Sequence, residues 1–279
     1  MTEPALLSYV YAIGRCHSLA ELPTGLADLT GIGEAHIRVV GAHALAAVVS
    51  SVPAEEFDDE GFRAQLEDLT RLETVARAHH AVVDSVAGRA TVLPLRLATV
   101  YRDDAGVARM LHEAEDRFCA LLDRLDGRAE WGVKVYASPD AAPRADESVT
   151  APGSAPAGAE DLSPGRAYLR QRKAQRSRHQ DAFQAAADTV ERIAALAEAY
   201  AAEGVPHRPQ SGELATGEGE NISNVSYLVP HDRGEDFRAE AEAAAREAGG
   251  VRVEVTGPWA PYSFAEAPPA PTLEGSGGR

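Results

Sequence analysis

Arg77, His79, His80 and Asp84 crowd two turns of LETVARAHHAVVDSVAGRATVLPLRLATVY, the stretch Leu72–Tyr101, and are of types that could do chemistry. Adjacent helical residues point about 100° apart, so His79 and His80 cannot chelate one ion together. His80 and Asp84 stand at i, i+4 and could supply two ligands. Zinc needs a third or fourth, and no HExxH or CxxC pattern provides one. At least one of the two histidines therefore reads as a satisfied core or interface group, because the apolar stripe of this helix runs between Ala76 and Val83. Arg96 is a cation in the otherwise apolar VLPLRLATVY, beside Pro94. A buried arginine generally needs a carboxylate, and Glu73 and Asp84 are the acids at hand. Its two readings are a structural ion pair and partner recognition at a domain junction.

Other chemistries find no residues to carry them. There is no GxSxG elbow, and no reactive-cysteine signature surrounds Cys16 or Cys119. Cys119 follows Phe118 on an apolar helix face and reads as a buried thiol. The glycine-rich stretch Gly217-Glu218-Gly219-Glu220 is acidic and lacks a phosphate-cradling pattern, so it reads as a flexible loop. No catalytic, cofactor-binding or metal-binding residue is expected. Trp131, Trp259 and Tyr262 are large aromatic anchors. In GPWAPYSF the prolines hold the chain extended, so its aromatics lie over the body of a domain, closing a core or presenting a ridge.

Those residues need elements to position them. Leu6–Ile13 reads as a strand, and Ala35–Val40 with Ala44–Ser50 as a hairpin through Gly41-Ala42-His43. Apolar residues from Phe62 to Val86 recur at three- and four-residue steps, predicting one long amphipathic helix from Asp59 to about Ala87, stopped by Gly88. Leu93–Tyr101 returns to an extended pattern. A second helix starts at an Asp103 or Asp104 cap and runs to Asp126-Gly127. Glu130–Ala137 reads as a strand, Ser163-Pro164 opens a helix reaching about Glu203, and Asn224–Pro230 is a strand. A helix to Gly249 and the strand Val251–Trp259 follow. Residues 138–163 are Pro/Ala-rich and the tail 266–279 is similar, so both are expected to be disordered.

This order predicts an α+β protein of two two-layer domains, 1–102 and 103–265, with long amphipathic helices. Cutting at the 138–163 insertion instead would leave the second piece two strands, too few for a stable sheet.

The 279 residues carry 43 acids against 27 bases, a formal charge of −16, which argues against non-specific nucleic-acid binding. The charge is uneven: RAYLRQRKAQRSR (Arg166–Arg178) holds six cations and no acid. It is either a solvated helix face or a docking surface for an acidic partner or for the protein's own acidic half. A mean hydropathy of −0.25, the lack of a long apolar run and an N-terminus without a basic n-region point to a cytoplasmic protein.

YVYAI, LAAVVS followed by VP, RAHHAVV, VLPLRLATVY, EWGVKVYA and VTGPWAPYSF, in that order, resemble the gas vesicle protein F/L family. No single motif is diagnostic; six in order are specific. The resemblance implies a non-enzymatic accessory protein of gas vesicle formation, with a modified ferredoxin-like C-terminal domain. It also implies partners: the small hydrophobic shell protein and other accessory proteins, with shell subunits kept soluble and vesicle nucleation or growth aided. The family has no agreed catalytic motif to transfer. The long insertion and the Ala within GPWAPYSF depart locally from its pattern. For partner binding the candidate residues are Arg77, His79, His80, Arg96, Trp131, Trp259 and Tyr262. Two other readings remain: a minor structural component of the vesicle shell, and a small-molecule enzyme using Arg77, His80 and Arg96.

Overall fold

In the computed structural model, residues 5–22, 29–58, 61, 68–138, 164–200, 202–209, 219–246 and 248–265 are described, the side chains of the helix that starts at Pro164 from residue 168 onward. The expected disorder at 139–163 and 266–279, and the flexible loop at 217–218, lie outside them.

The chain forms two compact units, residues up to Glu130 with Pro258 onward, and Trp131–Gly257. In the first, β1 (Leu6–Arg15), β2 (Arg38–Ala42), β3 (Leu45–Pro53), β4 (Val92–Pro94) and β5 (Val100–Tyr101) make one sheet, ordered β2-β3-β1-β4 with β5 also on β1. All four pairings are antiparallel. The register of β1 against β3 shifts between Val10 and Ala12, so Tyr11 sits at a bulge.

Short helices α1 (Cys16–Ala20) and α2 (Ala54–Phe57) flank the hairpin strands. The main helix, α3 (Leu69–Ala87), is shorter than its periodicity predicts. Asp68 has an extended backbone and its carboxylate accepts from the Thr70 and Arg71 amides, so it is an N-cap and the helix cannot run through it. Leu69, expected on the apolar stripe, is 76% exposed. Below it Val75, His79, Val82, Val83 and Val86 are buried at helical spacing and share a core with Tyr9, Tyr11, Val48 and Val52.

The predicted second helix is two, α4 (Asp104–Glu113) and α5 (Glu115–Leu125), parted where Ala114 leaves helical geometry (φ −114°, ψ 19°). Both pack on the first sheet, α4 on β2 and β3, α5 on β4 and β1. Ser8, on the face of β1 opposite Tyr9, donates to Asp104 at 2.6 Å. Helices thus cover both faces of this sheet, which is why β1 is buried along almost its whole length. The expected boundary at 102/103 gives way to one at 130/131, because the apolar stripes of 104–125 are absorbed by the first sheet, which gains a second helical layer. The closing segment after Pro258 also belongs to this unit. Buried Glu130 accepts from the Ser263 amide (2.8 Å) and hydroxyl (2.6 Å), and the Arg124 guanidinium lies over the Phe264 ring at 5.8 Å.

The second unit runs β6 (Arg128–Ala137), α6 (Pro164–Ala199), β7 (Glu203–Pro206), β8 (Glu220–Pro230), α7 (Gly234–Arg246) and β9 (Val251–Trp259). Its sheet order is β7-β8-β6-β9. A βαββαβ chain with the first strand between the third and fourth is the ferredoxin-like arrangement. The strand β7 falls where the sequence predicts the end of a helix; it is short, half-exposed and closed by Pro206.

Trp131 is the keystone of this core. It is buried and faces Gly234 at the start of α7, where an added Cβ would lie 2.8 Å from the indole Cζ2. Gly234→Ala is expected to lower stability by about 1–3 kcal/mol through overpacking, in spite of alanine's better helix propensity. Chemical denaturation measures it; an unchanged or raised midpoint would contradict this packing.

Candidate functional site

His79 follows Val75 by four residues, so it occupies a core position of α3 although its neighbour His80 does not. It is 1% exposed. Its Nε2 lies 3.2 Å from the Leu95 carbonyl, which can only accept, so the proton sits on Nε2. Nδ1 then accepts from the Tyr9 hydroxyl at 3.0 Å, and the Tyr9 oxygen accepts from the Ala98 amide at 2.9 Å. The extended run predicted for Leu93–Tyr101 is interrupted here. Ala98 turns with φ +61°, separating β4 from β5. His79 and Tyr9 satisfy backbone groups that this turn withdraws from the ladder. Tyr11 does similar work beside them, accepting from the Ile32 amide (2.9 Å) and pairing with the Ser50 hydroxyl (2.8 Å).

Burial lowers the His79 pKa from 6.5 to about 4, with a further push from the charge on His80, and burial raises those of Tyr9 and Tyr262. A neutral imidazole and neutral phenols locked into structural hydrogen bonds are poor acid–base catalysts at neutral pH.

The other candidates scatter. Arg77 is exposed, with its guanidinium on Glu73 at 2.6 Å. His80 is exposed and meets the Tyr262 ring edge-on at 5.2 Å. Asp84 feels His80 electrostatically, while burial raises its pKa. Arg96 is exposed at the turn after β4, which goes against the first of its two readings, a structural ion pair inside the core. Trp131 lies in the second core and Trp259 is half exposed. The structure brings His79, His80 and Tyr262 together and leaves Arg77 and Arg96 on the surface. His79 and Trp131 are interior groups, which removes them from the partner-contact set. The enzyme reading needs Arg77, His80 and Arg96 converging in a cleft; all three are exposed instead.

One neighbourhood was invisible in sequence. Arg15, 104 residues away, places Nη1 3.1 Å from the Cys119 sulfur and pairs with Asp123, so the half-buried thiol does have a cation beside it. A second was visible only as composition. On α6 every described side chain from Tyr168 to Asp181 is exposed, and buried positions begin at Ala182 and recur at Ala186, Thr189, Ile193 and Ala197.

Fold and residues together define an α+β protein with a ferredoxin-like unit, whose most perturbed polar groups hold structure. The model of the family Gas vesicle synthesis protein GvpL/GvpF matches residues 7–266, and the chain belongs to that family. It is 45% identical over 260 residues to gas vesicle protein L of Streptomyces sp. (strain CB03234), covering 93% of this chain and 92% of the relative. Gas vesicle protein F of the same organism is 30% identical over 267 residues, covering 93% and 99%. The fold is similar to crystal structures of GvpF from Anabaena sp. PCC7120 (TM-score 0.62, 17% identity, 94% of this chain and 97% of that one) and Microcystis aeruginosa (TM-score 0.60, 19% identity, 94% and 99%). The role that follows is a gas vesicle accessory or assembly role. Among the described residues no helix is long and apolar enough to cross a membrane.

The His79 geometry fixes a pH dependence. Its folded pKa lies below its unfolded one, so its contribution is complete above about pH 6.5 and is lost as pH falls to about 4, where it levels off. The full loss is on the order of 3 kcal/mol. Urea unfolding between about pH 7 and pH 4 should therefore show wild type losing more stability than His79→Gln, which has no titrating group there. Parallel losses in the two proteins would refute the buried neutral imidazole.

Proposed function

We propose that this protein is a non-enzymatic assembly factor that works in the cytoplasm and on the growing gas vesicle. It binds the small hydrophobic shell protein and other accessory proteins, keeps shell subunits soluble and aids nucleation or growth. The observation that carries the reading is the first half of α6. A 36-residue helix spans about 54 Å. Its second half is bound to its own unit by the stripe from Ala182 to Ala197, but its first half has no buried position among its described side chains. Tyr168 and Leu169 stand 58% and 66% exposed there, beside Arg170, Arg172, Lys173, Arg176 and Arg178.

Helical stability in proteins comes mostly from packing, so an uncovered stretch of helix gains from a partner that covers it. Apolar residues amid cations suit an amphipathic partner whose apolar face is rimmed with acid. A shell subunit exposes apolar surface until it is incorporated in the vesicle wall, and a binder covering that surface keeps it from aggregating. Arg77, His80, Arg96, Trp259 and Tyr262 are a further candidate contact set on the first unit.

The test is co-expression with the shell protein followed by pull-down. Wild type should capture the shell protein and raise its soluble fraction. A Tyr168→Ser, Leu169→Ser, Arg172→Glu, Arg176→Glu variant should keep its own fold by circular dichroism and capture at least about tenfold less, since central apolar and arginine contacts dominate such interfaces. Equal capture by the variant would move the site elsewhere. No capture by wild type would sink the proposal.

A further inference from the structure

His43, His112 and Glu115 come from three separate places in the first unit and converge on one point. His43 sits in the turn joining β2 to β3, His112 in the last turn of α4, and Glu115 at the first position of α5. One donor atom from each lies within 4.8 Å of the others. The two imidazole rings stack with centroids 4.7 Å apart and planes 29° apart, and His43 Nδ1 is 3.7 Å from Glu115 Oε2. The geometry points to a divalent transition-metal site, with zinc as the fitting ion.

Four features support it. Two imidazoles and one carboxylate are a zinc ligand set that leaves a fourth position for water, which suits a site at the protein surface. The carboxylate is already oriented, because its other oxygen accepts from the Ala44 amide at 3.3 Å; such outer contacts pre-position metal ligands. His43 holds φ +55°, a left-handed turn position in which histidine is enriched among non-glycine residues, so the turn itself is compatible with an imidazole ligand there. The break at Ala114 also matters. It turns the chain between His112 and Glu115, which in one continuous helix would stand at i, i+3.

Donor atoms in a tetrahedral zinc site lie roughly 3.3 Å apart, given bonds of about 2.0 Å. The present separations close by side-chain rotation alone, since His43 is 62% exposed at its side chain and His112 is also exposed. The bound ion ties the β2–β3 turn to the α4–α5 corner, which the Glu115–Ala44 hydrogen bond and the histidine stack already bring together. It is thus a clamp on a corner of the first unit, with an open coordination position that a carboxylate or imidazole from another chain can enter. This proposal stands apart from the shell-binding reading.

Zinc titration into the full-length, tag-free protein by calorimetry tests it. The expected result is one equivalent bound with a micromolar Kd and a rise in Tm on adding metal. His43→Asn, which tolerates the left-handed turn, and His112→Gln should each weaken binding at least about tenfold and abolish the Tm rise. Both should keep the wild-type circular dichroism spectrum and metal-free Tm. Absence of zinc binding by wild type, or binding that survives in the His43→Asn, His112→Gln double variant, overturns the site.

Discussion

Strand β1 has to be buried on both faces while the chain paired with it changes direction. Its side chains from Leu7 to Gly14 are all inside, with α3 on one side and α4 and α5 on the other. Its partner on one edge breaks between Pro94 and Val100. A break inside a core strands backbone donors and acceptors, each of which costs about 1–3 kcal/mol if left unpaired. Tyr9 and His79 remove that penalty: one bridges to the Ala98 amide, the other to the Leu95 carbonyl, and they bond to each other. The backbone contributes the remainder, through Leu95 donating to Tyr11 and Val10 donating to Thr99. This node gives α3 a buried polar anchor beside the sheet, through His79 on Tyr9 of β1 and on the Leu95 carbonyl.

The same constraint explains which parts of the molecule were legible in sequence. Strands β1, β6, β8 and β9 are continuous apolar or alternating runs, and the stripe through Val75, Val82 and Val86 marks α3 directly. That one of His79 and His80 is internal follows from the stripe too, although only the four-residue step from Val75 decides which. The breaks were less legible because nonlocal packing sets them. Asp68 looks like an ordinary acid in a helical pattern until its carboxylate is seen capping two amides. Ala114 has high helix propensity, and the corner there depends on α4 and α5 seating on different strands. β7 is four residues ending in proline, and only its pairing to β8 makes it a strand.

The candidate site divides the same way. Residue type picked out Arg77, His79, His80 and Arg96, but type does not reveal whether a group faces water. His79 went to the core and Arg96 to the surface, the reverse of where charge chemistry would want them. His43, His112 and Glu115 escaped notice because one lies about 70 residues from the others. The basic run before Ala182 was legible as composition, and the structure adds that its described side chains are all exposed.

A structurally committed first unit, with its polar groups held in fixed hydrogen bonds, and a second unit bearing an uncovered helix half suit an assembly factor better than a catalyst. The central claim is that the uncovered half of α6 is where the shell protein docks. Amide hydrogen exchange with and without the shell protein measures this directly. The account predicts slowed exchange across residues 168–181 on binding, with the buried strand β1 unchanged. Unaltered exchange at 168–181 while the shell protein is demonstrably bound would contradict it.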